Sequence, residues 1–467
     1  MLFNSFEFIL IFLPITFLVF FFLSNFGGGE ASRVWLLGAS LFFYGWWEPV
    51  YIPLILGSII FNFGISQTFL KLKSKNHVFP QSCLAIGVLS NLALLGYFKY
   101  ADFFIENLNW SLDTKIELPH IILPLAISFF TFQQIAYLVD SYKGKVKESS
   151  FINYSLFVLF FPQLISGPIV HHKEMMPQFH QPTNKRFNIN NVFSGLLVFF
   201  IGLFKKVVVA DTFAIWASKG FDAAETIALA EAWIASLSFT LQLYFDFSGY
   251  TDMALGAALL FNIHLPKNFN SPYKALNIRD FWRRWHMTLG RFLKDYIYIP
   301  LGGNRLGLFR LYINIIATFL LCGLWHGAGW IFIFWGALHG IALATYQFWL
   351  RVNIKIHYLL AGSLTFLFVN FSWIFFRAKE WKDATKILAG MLGFNGIGIL
   401  DLTPIIYIAF FLGVVWKAKN SLQWAEQINN RSRAVYIALF LGAFAILQLN
   451  NFQISNDNTM KFIYFNF

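Results

Sequence analysis

The chain has 467 residues, 57% of them hydrophobic and only 12% charged, and 59 are phenylalanine. A soluble domain carries about 25% charged residues, so most of this chain sits where charge is expensive, and a lipid bilayer is the simplest such place. The net charge of +12 is scattered between apolar runs rather than gathered on one module, which argues against nucleic-acid binding and fits cationic loops on one side of a membrane.

The opening stretch, Met1 to Phe26, is as short and apolar as a signal peptide. Glu7 comes before any Lys or Arg, the first cation is Arg33, and no A-x-A site follows, so an uncleaved first spanning helix is expected. A crossing needs about 20 mostly apolar residues. Suitable segments lie near 7–25, 33–48, 51–69, 81–98, 119–138, 151–166, 192–210, 228–247, 310–328, 330–350, 357–376, 403–416 and 434–450. Those at 151–166 and 403–416 are too short to cross alone. The expectation is therefore an all-α polytopic membrane protein with about 11 crossings plus re-entrant and interfacial helices. It forms one membrane-embedded domain over residues 1–467. Lys71, Lys73 and Lys75 close the third span and belong in the cytoplasm, which puts the N-terminus outside. Cys83 and Cys322 lie in apolar runs and read as small buried hydrophobes, with no disulfide, metal site or thiol nucleophile expected.

Ionisable groups inside spans are costly and so are functional candidates by default. In Tyr244–Asp252 the carboxylates of Asp246 and Asp252 are six residues apart. That is about 600° of helical rotation, so they point apart and are expected to pair with cations such as Arg279 or Arg284. The stretch 262–310 is rich in both cations and aromatics, which suits amphipathic helices at the cytoplasmic boundary. Within it, Arg283 and Arg284 suit either positive-inside anchoring or an anionic donor, and His286 stands where the chain turns apolar again. Next comes His326, in Leu324-Trp325-His326-Gly327-Ala328-Gly329-Trp330. A neutral imidazole in a dry passage can take a proton from a hydroxyl, the work of a general base in acyl transfer. His339 follows 13 residues later, about 20 Å along an unbroken helix, and reads as structural.

An ordered series of motifs then points one way. Leu123–Gln133, Tyr137-Leu138-Val139-Asp140, Phe161–Ile169, His171–Phe179, Tyr244–Asp252, Asn268–Tyr273, Arg279–His286, Tyr298–Arg305 and Leu324–Trp330 run through most of the chain. In them the chain resembles the membrane-bound O-acyltransferases, specifically the bacterial branch that acetylates alginate or peptidoglycan or D-alanylates teichoic acid. Ala126 departs from the Gly usual in that pattern.

The resemblance implies a helical ring around a central tunnel, with donor entering from the cytoplasm and acceptor from outside. It matches His326 to the family's catalytic His and His286 to a second, tunnel-lining His. The tail, ending Tyr464-Phe465-Asn466-Phe467, is similar to a terminal motif of the export branch. A phenol with pKa about 10 is a workable acyl carrier, so Tyr464 is a candidate acyl relay. The expected activity is transfer of acetyl from a cytoplasmic thioester, acetyl-CoA or another acyl thioester, towards an exported polysaccharide or peptidoglycan. No bound cofactor is expected, and a periplasmic or extracellular acyltransferase partner is. D-alanyl transfer is the alternative within the class. A transporter or channel is the alternative outside it and predicts an inverted repeat, of which the sequence carries no sign.

Overall fold

The computed structural model describes residues 1–71, 78–146, 150–165, 167–428 and 431–454. Among these, every regular element is helical, as a chain that must satisfy its own backbone in lipid requires. The long elements in chain order are α1 (Glu7–Phe26), α2 (Gly28–Gly45), α3 (Pro49–Leu70), α4 (Pro80–Leu112), α5 (Ile127–Tyr142), α6 (Phe151–Leu159), α7 (Ile189–Ala223), α8 (Leu229–Leu260), α9 (Gly307–His326), α10 (Trp330–Val352), α11 (Tyr358–Arg377), α12 (Leu402–Lys417) and α13 (Arg431–Ile454).

Among the described residues, α1, α3, α4, α7, α9, α10 and α11 are the seven helices long and apolar enough to cross a membrane. An eighth is gained if α12 and the helix Ser421–Gln427, bent 59° from it, form one span. The segment expected at 119–138, and the one at 151–166 already too short to cross alone, fold as helices of 16 and nine residues, buried along nearly their whole length. At about 1.5 Å per residue the second covers less than half of the hydrocarbon core. Both are interior helices, not spans.

The molecule exposes large apolar side chains and buries ionisable ones within its apolar core. Leu10, Phe22, Phe104, Ile341, Leu360 and Phe410 are exposed, whereas Asp140, Asp211, Asp246, His286, His326 and His339 are buried. A water-soluble fold does the opposite. The centre is α8, 32 residues long, packed along α7 through glycines. A Cβ on Gly202 would lie 2.5 Å from the Gly249 carbonyl oxygen, and one on Gly256 would lie 2.5 Å from that of Gly195. Small residues let backbones approach this closely where lipid offers no hydrophobic drive for association.

That approach explains the paired carboxylates. Lys206 Nζ lies 2.7 Å from Asp246 and 2.6 Å from Asp211, and Lys205 Nζ lies 2.7 Å from Asp252. The partners are lysines of α7 and not the expected Arg279 or Arg284. Both lysines sit on a π-helical turn, Lys205–Ala210, whose extra residue helps direct two consecutive side chains at one neighbouring helix.

The stretch 262–310 folds as short turns and helices that bury Phe269, Tyr273, Phe281, Trp282 and Trp285 and expose Lys267, Arg279, Arg283, Arg305 and Arg310. Aromatics face the bundle and cations face out, the arrangement expected of an interfacial segment. Asn277 opens the helix Ile278–Trp282 by accepting from the Asp280 N–H, a standard N-cap.

Candidate active site

His326 is the last residue of α9. Gly327 and Gly329 have extended backbones, and the chain restarts as α10 at Trp330. The apolar run from 311 to 350 is thus broken beside the imidazole, and α9 and α10 return against each other as a hairpin. The hairpin is tight. A Cβ on Gly323 would lie 2.2 Å from the Phe332 carbonyl oxygen, and one on Gly336 would lie 2.2 Å from that of Phe319.

The His326 side chain is buried among aromatic walls. Its ring centroid is 4.9 Å from Trp325, 5.1 Å from Trp335 and 5.3 Å from Phe376. His286, His339 and Lys99 lie within electrostatic reach of it. Lys99 and His286, far away in sequence, therefore converge with the nearby His339 on one imidazole.

His286 stands at a turn with φ 42° and ψ 52°, a left-handed conformation uncommon outside glycine. The turn sends its side chain inward, where it is fully buried. Its Nδ1 is 3.1 Å from Asn268 Oδ1. That oxygen also accepts from the Thr288 backbone N–H at 3.3 Å and the Thr288 hydroxyl at 2.9 Å. An oxygen accepting twice already can only accept from the imidazole, so Nδ1 carries the proton and Nε2 keeps its lone pair. Nε2 is buried without a hydrogen-bond partner. Burial pushes the imidazole down to about 3, so it is neutral at physiological pH. The ring meets Phe247 edge-on at 4.9 Å and lies 6.4 Å from Trp325. Trp325 thus neighbours both histidines. A crevice lined by Lys205, Ser248, Asp252, Asn420 and Ser421 reaches Asn268.

His339 is committed elsewhere. Its Nδ1 accepts from the Trp282 indole N–H at 3.2 Å, and its Nε2 is 3.0 Å from the Ser372 hydroxyl. That hydroxyl already donates to the Val369 carbonyl and so accepts here. Both nitrogens are used, and the residue ties α10 to α11. Arg283 is exposed. Arg284 pairs with Asp280 at 2.9 Å and reaches the Asn270 carbonyl. Tyr464 lies outside the described residues.

Two features escaped the sequence reading. Lys99 lies on a π-helical turn, Gly96–Tyr100, within α4. Its Nζ donates to the Trp325 carbonyl at 2.6 Å and to the Ser128 hydroxyl at 3.1 Å. The neighbouring Tyr100 hydroxyl donates to the Leu324 carbonyl at 2.9 Å. The last carbonyls of a helix lack intrahelical partners, and here α4 supplies two for the helix that carries His326. A charge in an apolar run was the available signal.

The second feature is a cluster of Asp140, His171 and His172, whose potential ligand atoms lie within 4.8 Å of one another. Their hydrogen bonds commit them otherwise. Asp140 takes the His171 imidazole at 2.7 Å, the Tyr296 hydroxyl at 2.8 Å and Lys145 at 3.1 Å. His171 Nδ1 accepts the Lys173 backbone N–H, which leaves its proton on Nε2, facing Asp140, where a metal would need a lone pair. Burial alone would raise the Asp140 carboxyl, but the bonds from His171, Tyr296 and Lys145 outweigh it and hold it well below the usual range. Burial is the main cause that pushes His172 down to about 4.

Comparison with known proteins supplies the family. The family model "MBOAT, membrane-bound O-acyltransferase family" matches residues 141–378, a stretch containing both His286 and His326. A peptidoglycan O-acetyltransferase of Helicobacter pylori is 50% identical over 434 residues, 86% of this chain and 82% of the relative. A "probable alginate O-acetylase" of Pseudomonas aeruginosa is 39% identical over 402 residues, 85% of this chain and 75% of the relative. A teichoic acid D-alanyltransferase of Bacillus subtilis is 29% identical over 275 residues, 55% of this chain and 69% of the relative. With seven or more apolar helices and a family match over half its length, this chain is a multi-pass membrane acyltransferase and belongs to the membrane-bound O-acyltransferase family.

Proposed function

We propose that the protein is an O-acetyltransferase that takes acetyl from a cytoplasmic thioester, acetyl-CoA by preference, and passes it towards an exported polysaccharide or peptidoglycan. The observation that carries this reading is the convergence of His326 and His286, 40 positions apart in the chain, on Trp325 in a buried aromatic surround. The extent of likeness to O-acetyl relatives, greater than that to the D-alanyl relative, supports acetyl as the group moved.

In this reading His326 removes the proton from an acceptor hydroxyl, whose oxygen then attacks the thioester carbonyl. Collapse of the tetrahedral intermediate breaks the carbon–sulfur bond, and the proton held by His326 goes to the departing thiolate. His286, neutral and with Nε2 free, lines the donor side. Arg283, exposed at the interfacial segment, is the better placed of the two arginines to meet a donor phosphate, since Arg284 is occupied by Asp280. Tyr464 serves as a transient carrier, a role that rests on sequence alone, and a partner outside the membrane completes transfer.

Purified protein in liposomes, supplied in turn with acetyl-CoA and with a D-alanyl carrier protein, tests the reading. Acetyl transfer is expected with the first donor and should fall about 100- to 10,000-fold in His326→Ala. Transfer only from the second donor would sink the acetyl assignment, and wild-type rates in His326→Ala would sink the enzymatic one. Wild-type transfer by Tyr464→Phe would remove the relay.

A further inference from the structure

Lys99 poses a problem that helix capping does not solve. An ammonium group inside a membrane span is costly and is normally paired. Lys205 and Lys206 obey that rule, each with a carboxylate within 2.7 Å. Lys99 does not, since among the described residues no carboxylate lies within ion-pairing distance. Its two hydrogen bonds go to neutral oxygens, the Trp325 carbonyl and the Ser128 hydroxyl. Capping the end of α9 does not require a cation. Tyr100, next in the chain, does the same work on Leu324 with a neutral hydroxyl. The charge therefore needs another explanation, and so does the third N–H of the ammonium.

Position supplies one. The Trp325 carbonyl belongs to the peptide bond that joins Trp325 to His326, so Lys99 Nζ sits beside the backbone of the proposed base. It also lies 5.8 Å from the centroid of the Trp325 ring, the side chain that neighbours both His326 and His286. An acyl group attacked at His326 develops negative charge on its carbonyl oxygen, and a preorganised cation in a water-poor site is the most effective partner for that charge. A cation without a carboxylate partner keeps its field for the substrate.

We propose that Lys99 is a catalytic residue, the oxyanion-stabilising partner of His326; this rests on the acyl-transfer reading above. As the acceptor oxygen bonds to the thioester carbon, the carbonyl π electrons move onto oxygen and are held by the free N–H of Lys99. When the carbon–sulfur bond breaks, the pair returns to re-form the carbonyl, the thiolate takes the proton from His326, and Lys99 is unchanged.

Three variants of the full chain separate this role from capping. Lys99→Gln keeps a neutral donor, Lys99→Arg keeps the charge, and Lys99→Met keeps neither. With acetyl-CoA as donor, turnover is expected to fall about 100- to 1,000-fold in the Gln and Met variants. The KM for donor should stay within about threefold, the melting temperature of the Gln variant should stay near wild type, and the Arg variant should recover at least about tenfold over Gln. Wild-type turnover in Lys99→Gln would overturn the proposal and leave Lys99 a cap. Equal losses in Gln and Arg would overturn it too. If Lys99→Met does not fold, the Gln and Arg pair decides. Absence of acyl transfer by the wild type from any thioester would overturn the broader reading as well, whereas an active wild type with an unchanged Gln variant sinks Lys99 alone.

Discussion

Two buried imidazoles differ in what holds them, and the difference predicts how each responds to change. His286 owes its orientation to one amide oxygen, Asn268 Oδ1, which also fixes Thr288. Asn268→Leu should free the ring, leave Thr288 unsatisfied and lower turnover about tenfold or more without abolishing donor binding; an unchanged rate would show that the orientation of His286 is immaterial. His172 sits beside the Asp140 cluster and is pushed by burial to about 4, below the ordinary value of about 6.5. Folding therefore favours its neutral form. The resulting stability is complete above about pH 6.5 and is lost as pH falls towards 4, by about 1.4 kcal/mol per pH unit. Melting temperature between pH 7 and pH 5 should fall more steeply for the wild type than for His172→Asn. Asp140, held well below the usual range, stays charged over that interval and adds no slope. Parallel melting curves for the two proteins would refute the assignment.

At the level of elements, glycines decide where helices meet. Gly323→Val would put a side chain where only the Phe332 carbonyl fits, and neither backbone can give way without opening the hairpin that ends at His326. Loss of folded protein, or at least about 3 kcal/mol of stability, is expected by thermal melting in detergent. Gly38→Ala, where a Cβ meets nothing within 4 Å, should be neutral or slightly stabilising because it reduces helix-breaking freedom. Equal behaviour of the two would show that close packing at Gly323 is unimportant. Several of these elements were legible in the sequence. The break after His326 was legible as the division between the segments at 310–328 and 330–350, and the interfacial character of 262–310 in its mixed cations and aromatics. Pairings were not, because the lysines that neutralise Asp246 and Asp252 lie some 40 positions upstream and only a packed α7–α8 pair reveals them. Lys99 was missed for a related reason. The span expected at 81–98 stops one residue short of it, since charge reads as a boundary, yet the helix continues to Leu112.

Over the whole molecule, hydropathy identified a polytopic protein, but apolarity does not distinguish a helix against lipid from one wrapped by protein. α5 and α6 are the cases in point: both are apolar, and both are interior. Charge asymmetry makes the orientation testable. With the exposed arginines of 262–310 on the cytoplasmic side, a cysteine replacing Arg283 in a Cys83→Ala background should react with a membrane-impermeant maleimide only after cells are opened. Labelling of intact cells would invert the topology, and with it the side from which donor arrives.

The π-helical turn at Gly96–Tyr100 carries a consequence of its own. A turn of this kind behaves as a single inserted residue, so removing Tyr97 would return the helix to ordinary winding and re-aim the side chains of the turn itself. Regularising the helix would carry the Lys99 amine away from Trp325. The irregular winding, which a designer would be tempted to repair, is what aims that amine, so a shortened protein should be better wound and worse at its work.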